Sequence, residues 1–204
     1  MHKALQQTSG IQDGMKGVGP FGKTDPQIVR EVFKRNGKDA EFNEDYLKAL
    51  FAHYIPLLRE EILRSTQFRV LPGARELVTT LSQREDSLPG LATGNIEEGA
   101  RMKLERADLN SFFSYGGFGS DAEERSDVIR TAINRGLKII APATPQSITV
   151  IGDTPRDIIH AKKVNARVVA VATGNYSSKT LRDCRPDLTV ENLSPIEPIL
   201  EFLD

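Results

Sequence analysis

The chain is poor in the features that place a protein outside an ordinary reducing cell interior. It has one cysteine, Cys184, in 204 residues. That excludes an intrachain disulfide and a thiolate zinc cluster, and fits the cytoplasm as the expected location. Charge of one sign is also lacking: 27 Lys and Arg oppose 28 Asp and Glu, for a net charge of -1. No general attraction to nucleic acid or to an anionic membrane follows from that balance. The longest apolar run is Val168-Val169-Ala170-Val171-Ala172, far too short to span a bilayer. The opening MHKALQQTSG has no apolar signal core. There is no tandem repeat and no low-complexity tract. What is present is 39% apolar and 27% charged residues, an ordinary globular composition. The length suits one large domain, or a domain with a smaller insert.

Residues 17–24 read GVGPFGKT and match the phosphate-loop pattern GxxxxGK[ST]. Such a loop needs a buried strand before it and a helix after it, so that backbone N–H groups and the lysine converge on phosphate. The strand is missing here. SGIQDGMK has only Ile11 and Met15 as large apolar residues. The helix is present: Thr24 or Asp25 can cap it, Pro26 suits its first turn, and Ile28, Val29, Val32 and Phe33 form one face before Gly37. The stretch is therefore expected to be a loop entering a helix. A second helix follows, with Asn43 as its cap and Leu47, Leu50, Phe51, Tyr54, Ile55, Leu58 and Ile62 at helical spacing. Pro56 is expected to kink it. His53 lies off that stripe. Residues 1–65 thus read as all-helical.

The pattern changes near residue 70. Pro72-Gly73 opens a helix to about residue 83. Strands are expected near 88–93, 112–118, 147–153 and 166–173, with LTV at 188–190 as a short last one. Helices fall between them, one capped by Asn95, one over 121–135 and one beginning at Pro155. Short apolar strands alternating with helices imply an α/β fold with a parallel sheet covered on both faces. Such folds bind ligands at the carboxyl ends of their strands.

Three such ends carry chemistry. In VIGDTPRD, Asp153 stands at a strand end and Asp157 one helical turn beyond. Two hard oxygen donors there suit Mg²⁺; the competing reading is a pair of helix-capping carboxylates. The complete strand–GDTPRD–helix–strand context favours the metal. In LATGN, the Thr93 hydroxyl with the free N–H groups at Gly94 and Asn95 can form an anion cradle. Those are also ordinary strand-exit residues, and VATGN recurs at 171–175. In GFGSDAEERSDVI, Arg125 in the first turns of a helix could reach a phosphoryl oxygen. Taken alone it reads as a surface arginine paired with Asp121, Glu123 or Glu124.

Together these segments resemble the haloacid dehalogenase superfamily, and within it the helical-cap phosphatases that include phosphoglycolate phosphatases. The family order is a threonine after a strand, a basic residue near a helix start, then a strand ending GD-x-x-x-D. Thr93, Arg125, Asp153 and Asp157 stand in that order, and VLPGARELVTTL and FGKTDPQIVREVF resemble the family's return from cap to core and its cap entry. The resemblance implies a helical cap over 1–65 and a Rossmann-like core over 66–204. It implies a Mg²⁺-dependent phosphatase of small phosphorylated metabolites. Thr93, Gly94, Asn95 and Arg125 would hold phosphate, Asp153 and Asp157 the metal. One of Lys23, Thr24 and Asp25 would then face substrate. Two departures stand out. Arginine occupies the position where lysine is common. The family's first strand, ending D-x-D-G-T and supplying the nucleophile, is absent; IQDGM at 11–15 has Ile11 where that nucleophile belongs. The chain reads as starting inside the first cap helix, and as inactive by itself. The alternative is a catalytically silent member acting as a binding or partner protein. A dehalogenase, which needs no metal, or a nucleotide switch fits less well.

Overall fold

The computed structural model describes residues 1–204. Its first part is helical: α1 (His2–Ser9), α2 (Asp25–Arg35) and α3 (Glu44–Arg64). Thr24 caps α2 by a full capping box with Gln27, and Asn43 caps α3 through its side chain. Helix α3 runs unbroken through Pro56, and His53 is exposed. No strand precedes Gly17; the stretch from Ile11 to Thr24 is turns and loop. Helices α1 to α3 gather around Leu5, Val29, Val32, Phe33 and Leu50, all fully buried. That cluster also takes in Ile96, so the helical part and the sheet-bearing part share apolar contact.

The remainder alternates. Helix α4 (Ala74–Gln83) is followed by β1 (Leu91–Ala92), α5 (Glu97–Arg106), β2 (Gly116–Gly117) and α6 (Arg125–Ile140). Then come β3 (Thr149–Gly152), α7 (Pro155–Lys163), β4 (Arg167–Val171), α8 (Ser178–Asp183), β5 (Leu188–Val190) and α9 (Glu197–Leu203). All strand pairs are parallel. Strand β4 shows why the fold is layered. Val168 and Ala170 point into one cluster with Ile129 of α6, Ile158 of α7 and Leu181 of α8. Val169 and Val171 point into another with Leu77 of α4 and Ile199 of α9. The two-residue period of a strand sends alternate side chains to opposite faces, so a continuous apolar run means helices on both sides. This is a Rossmann-like α/β core. No helix is long and apolar enough to cross a membrane.

The sheet is in two pieces. β1 pairs only with β2, and β3 only with β4, in the order β3-β4-β5. Each of β1 and β3 therefore has one unpaired edge. The strands expected over 88–93 and 112–118 shrink to two residues each. A strand with a ladder on one side has half the hydrogen bonds to fix it, and Pro89, just before β1, has no N–H to give. Ile151 in β3 is left 37% exposed. The helix expected over 121–135 lies instead at 125–140.

Candidate active site at the ends of β1 and β3

The chain after β1 turns through Thr93, Gly94 and Asn95. Thr93 stays tied to β2 through its N–H, which donates to the Gly117 carbonyl at 3.0 Å. Its hydroxyl accepts the Asn95 N–H at 3.2 Å, which leaves the hydroxyl proton free to donate. Asn95 does not cap α5, contrary to the expectation from sequence. Its amide oxygen accepts the Lys103 ammonium at 2.7 Å. The first free N–H groups of α5 go elsewhere: Ile96 donates to the Asp25 carboxylate at 2.9 Å and Glu97 to the Ser120 hydroxyl at 3.2 Å.

Asp25 is 4% exposed, and its own N–H donates to the Gly94 carbonyl at 2.7 Å. A Cβ at Gly94 would meet the Lys23 carbonyl oxygen at 2.2 Å, so only glycine lets α2 approach this closely. Burial pushes the Asp25 carboxyl up, while the Ile96 N–H and the Lys103 charge oppose it. Burial pushes the Lys103 ammonium down, and Asp25 opposes that. Lys103 is a site neighbour that sequence reasoning missed. It is eight residues from Asn95, and nothing in the periodicity marks it.

At the end of β3, Asp157 and Thr154 form a reciprocal capping box for α7. One Asp157 oxygen accepts the Thr154 N–H at 3.1 Å and its hydroxyl at 2.8 Å. The other accepts two nitrogens of Arg125, at 3.2 and 2.9 Å. The capping reading of Asp157 is thus realised, and a cation is bound to it as well. Arg125 also donates to the Ala92 carbonyl at 2.9 Å, so one guanidinium spans from the end of β1 to the start of α7. The pair is well buried, with side chains 12% and 5% exposed. Arg125 is not the surface arginine its local sequence suggests; Glu123 pairs with Arg30 and Asp121 with Arg135 instead.

Asp153, half-buried, makes no ion pair. Burial pushes its carboxyl up, the Asp157 charge adds to that, and Arg125 opposes it. The loop after β4 packs against it: a Cβ at Gly174 would meet an Asp153 oxygen at 2.2 Å. The second TGN string thus has a place beside Asp153.

The arrangement is two carboxylates, a buried guanidinium and a threonine hydroxyl at the ends of β1 and β3, which Arg125 links. The sequence model of the haloacid dehalogenase-like hydrolases matches residues 20–171, which include all four. The chain belongs to that family. A curated relative in Dickeya dadantii (strain 3937), "Probable phosphatase IndB", is 24% identical over 155 residues, covering 75% of this chain and 65% of that protein. The match therefore spans less than two thirds of the relative's length. Among solved structures, a hydrolase from Pseudomonas syringae superposes with a TM-score of 0.71 at 20% identity, covering 98% of this chain and 89% of the other. A β-phosphoglucomutase from Clostridium difficile gives 0.70 at 19%, covering 98% and 86%. A structure described as a predicted phosphoglycolate phosphatase from Haemophilus somnus 129pt gives 0.66 at 19%, covering 98% and 88%. These likenesses bear out the haloacid dehalogenase fold.

Proposed function

We propose that the chain forms most of a cytoplasmic phosphoric monoester hydrolase for small phosphorylated metabolites, with residues 1–65 as a helical cap and 66–204 as the core. The observation that carries this reading is the break in the sheet. Strands β1 and β3 each present an unpaired edge, and the phosphate-type groups lie at the carboxyl ends of those same strands. An apolar strand ending D-x-D-G-T, set between β1 and β3, would complete the sheet and put a carboxylate nucleophile among them. That nucleophile would form an aspartyl-phosphate, which water then hydrolyses.

The chain's own residues would hold the phosphoryl group. The Thr93 hydroxyl would donate to one phosphoryl oxygen, with the N–H groups of the following turn beside it. Arg125 would offset negative charge, and Asp157 orients Arg125 through two contacts to one oxygen. The donor chemistry suits Mg²⁺, which takes one or two carboxylates and completes its shell with water and phosphate. No set of three or more His, Cys, Asp and Glu side chains converges; Asp153, which makes no ion pair, and Asp157, whose oxygens accept from Thr154 and Arg125, are the carboxylates that would hold it. Burial raises the Asp153 carboxyl and the Asp157 charge adds to that; a divalent cation would relieve the second effect. Bound there, the metal supplies charge stabilisation to the transferring phosphoryl group.

The test compares the 204-residue chain with a version extended at its N-terminus by an apolar strand ending D-x-D-G-T. Both are assayed with and without Mg²⁺ on an aryl phosphate and on a panel of sugar and small-acid phosphates. The shorter form is expected to show no turnover above background, the longer one Mg²⁺-dependent hydrolysis that Asp153→Asn largely removes. Equal metal-dependent turnover by both lengths would place the nucleophile elsewhere. A folded, extended protein without turnover would favour a binding role instead.

A further inference from the structure

A cavity of about 290 Å³ lies where α2 meets the start of α7, and no apolar side chain lines it. Lys23, Arg30, Lys34 and Arg156 supply four positive charges; Glu31 and Glu123 supply two negative ones. Both carboxylates are already engaged. Glu31 holds Lys23 in a close ion pair. Glu123 takes Arg30 through two nitrogens, at 2.5 and 2.8 Å. That leaves Lys34 and Arg156, neither of which is ion-paired.

Arg156 is the telling residue. Its only polar contact is a long one, Nη2 to the Gln27 amide oxygen at 3.4 Å. Its Nε is buried and has no hydrogen-bond partner. The loop before α2 holds its stem in place. Gly22 has φ +69°, and a Cβ there would meet the Arg156 Cβ at 2.9 Å and Cδ at 3.0 Å. The guanidinium is thus held beside the cavity with no anionic partner. Its Nε is closed off, so the terminal nitrogens are the groups that can meet a ligand. A water there would leave the surplus of positive charge untouched. An oxyanion offsets it, and arginine binds oxyanions by charge-assisted hydrogen bonds.

We propose that this cavity is an anion site for a small oxyanion of two negative charges, such as inorganic phosphate, held by Arg156 and Lys34. None of its lining residues is Thr93, Arg125, Asp153 or Asp157, although Arg156 and Glu123 adjoin them in sequence, and the inference does not rest on the hydrolase reading. Because its walls come from α2, from the segment before α6 and from α7, filling it fastens the helical part onto the sheet part. An anion that binds only the folded chain also raises the melting temperature by mass action.

The test is calorimetric titration of the 204-residue chain with inorganic phosphate, against sodium chloride at matched ionic strength. The parent is expected to bind phosphate saturably and chloride not. Arg156→Gln should weaken binding about tenfold, the scale of one charge-assisted contact, and Lys34→Gln by roughly threefold, as an exposed charge does. Lys179→Gln, an exposed cation on α8, should leave the affinity unchanged. Arg156 adjoins the capping box of α7, so Lys34→Gln, on the exposed face of α2, keeps the test decisive if the arginine variant fails to fold. Three results would overturn the proposal: no saturable binding by the parent at millimolar phosphate, a chloride effect equal to that of phosphate, or binding lost in Thr93→Val and kept in Lys34→Gln. The last would put the ion in the strand-end cluster.

Discussion

Arg125 binds one oxygen of Asp157 with two nitrogens and the Ala92 carbonyl with one of them. Removing one member of a buried pair leaves the other charged and unsatisfied, which costs far more than the pair contributes net. Arg125→Met is therefore expected to destabilise the fold by about 3 kcal/mol in urea unfolding. Adding Asp157→Asn to it should recover part of that loss. Recovery of nothing would mean that Asp157 matters through its cap alone. Asp153 behaves differently, because its neighbours oppose its charge. Unfolded, it titrates in the ordinary carboxylate range; folded, burial and Asp157 hold it higher. Between those two values the folded chain keeps a proton that the unfolded chain has lost. Stability contributed at this position is thus full at low pH, falls as pH rises through the window, and stays lower above it. Asp153→Asn is expected to melt higher than the parent at pH 7, with the difference closing as pH drops below the usual carboxylate range. A difference that is constant with pH would show that charge at this position is not the cause.

At the scale of elements, the seam between α2 and the 93–96 turn rests on Asp25. Its carboxylate caps α5 from 71 residues away, while its N–H ties down the Gly94 carbonyl. Asp25→Ala keeps the backbone bond but strands the Ile96 N–H and leaves the half-buried Lys103 without its nearby negative charge. We expect a loss of about 2 kcal/mol, read by thermal or urea melting, with Asp25→Asn recovering much of it by restoring the acceptor. The same seam shows what a sequence can and cannot display. The start of α2 was legible because Thr24 or Asp25 before Pro26 is a local cap signal, though the Gln27 half of the capping box was not read, and β4 was legible because burial on both faces leaves a continuous apolar run. Asn95 was misread as a cap because the residue that caps α5 lies outside any local window. Arg125 was misread as a surface residue, when judged by its neighbours, because its partner Asp157 lies on another helix. The short spans of β1 and β2 were not legible either: their length is set by how many neighbours each strand has, and that is a property of the assembled sheet.

Across the whole molecule, the break in the sheet makes the most consequential prediction. The free edges of β1 and β3 carry backbone groups with no ladder partner, and Ile151 beside one of them is partly uncovered. Unpaired, apolar-flanked edges invite pairing with another chain, and proteins blunt them with charge, lysine above all. The 204-residue chain is therefore expected to self-associate as its concentration rises. Ile151→Lys should suppress that association while changing stability by no more than about 0.5 kcal/mol, as for a surface substitution. Sedimentation velocity across a concentration series reads the first effect, and urea unfolding at low concentration reads the second. Association that persists undiminished in Ile151→Lys would locate the sticky surface elsewhere. A parent that sediments as a monomer at every concentration would mean that the two edges are covered within the single chain. The gap would then be no place for a further strand, and the proposed position of the nucleophile would fall with it.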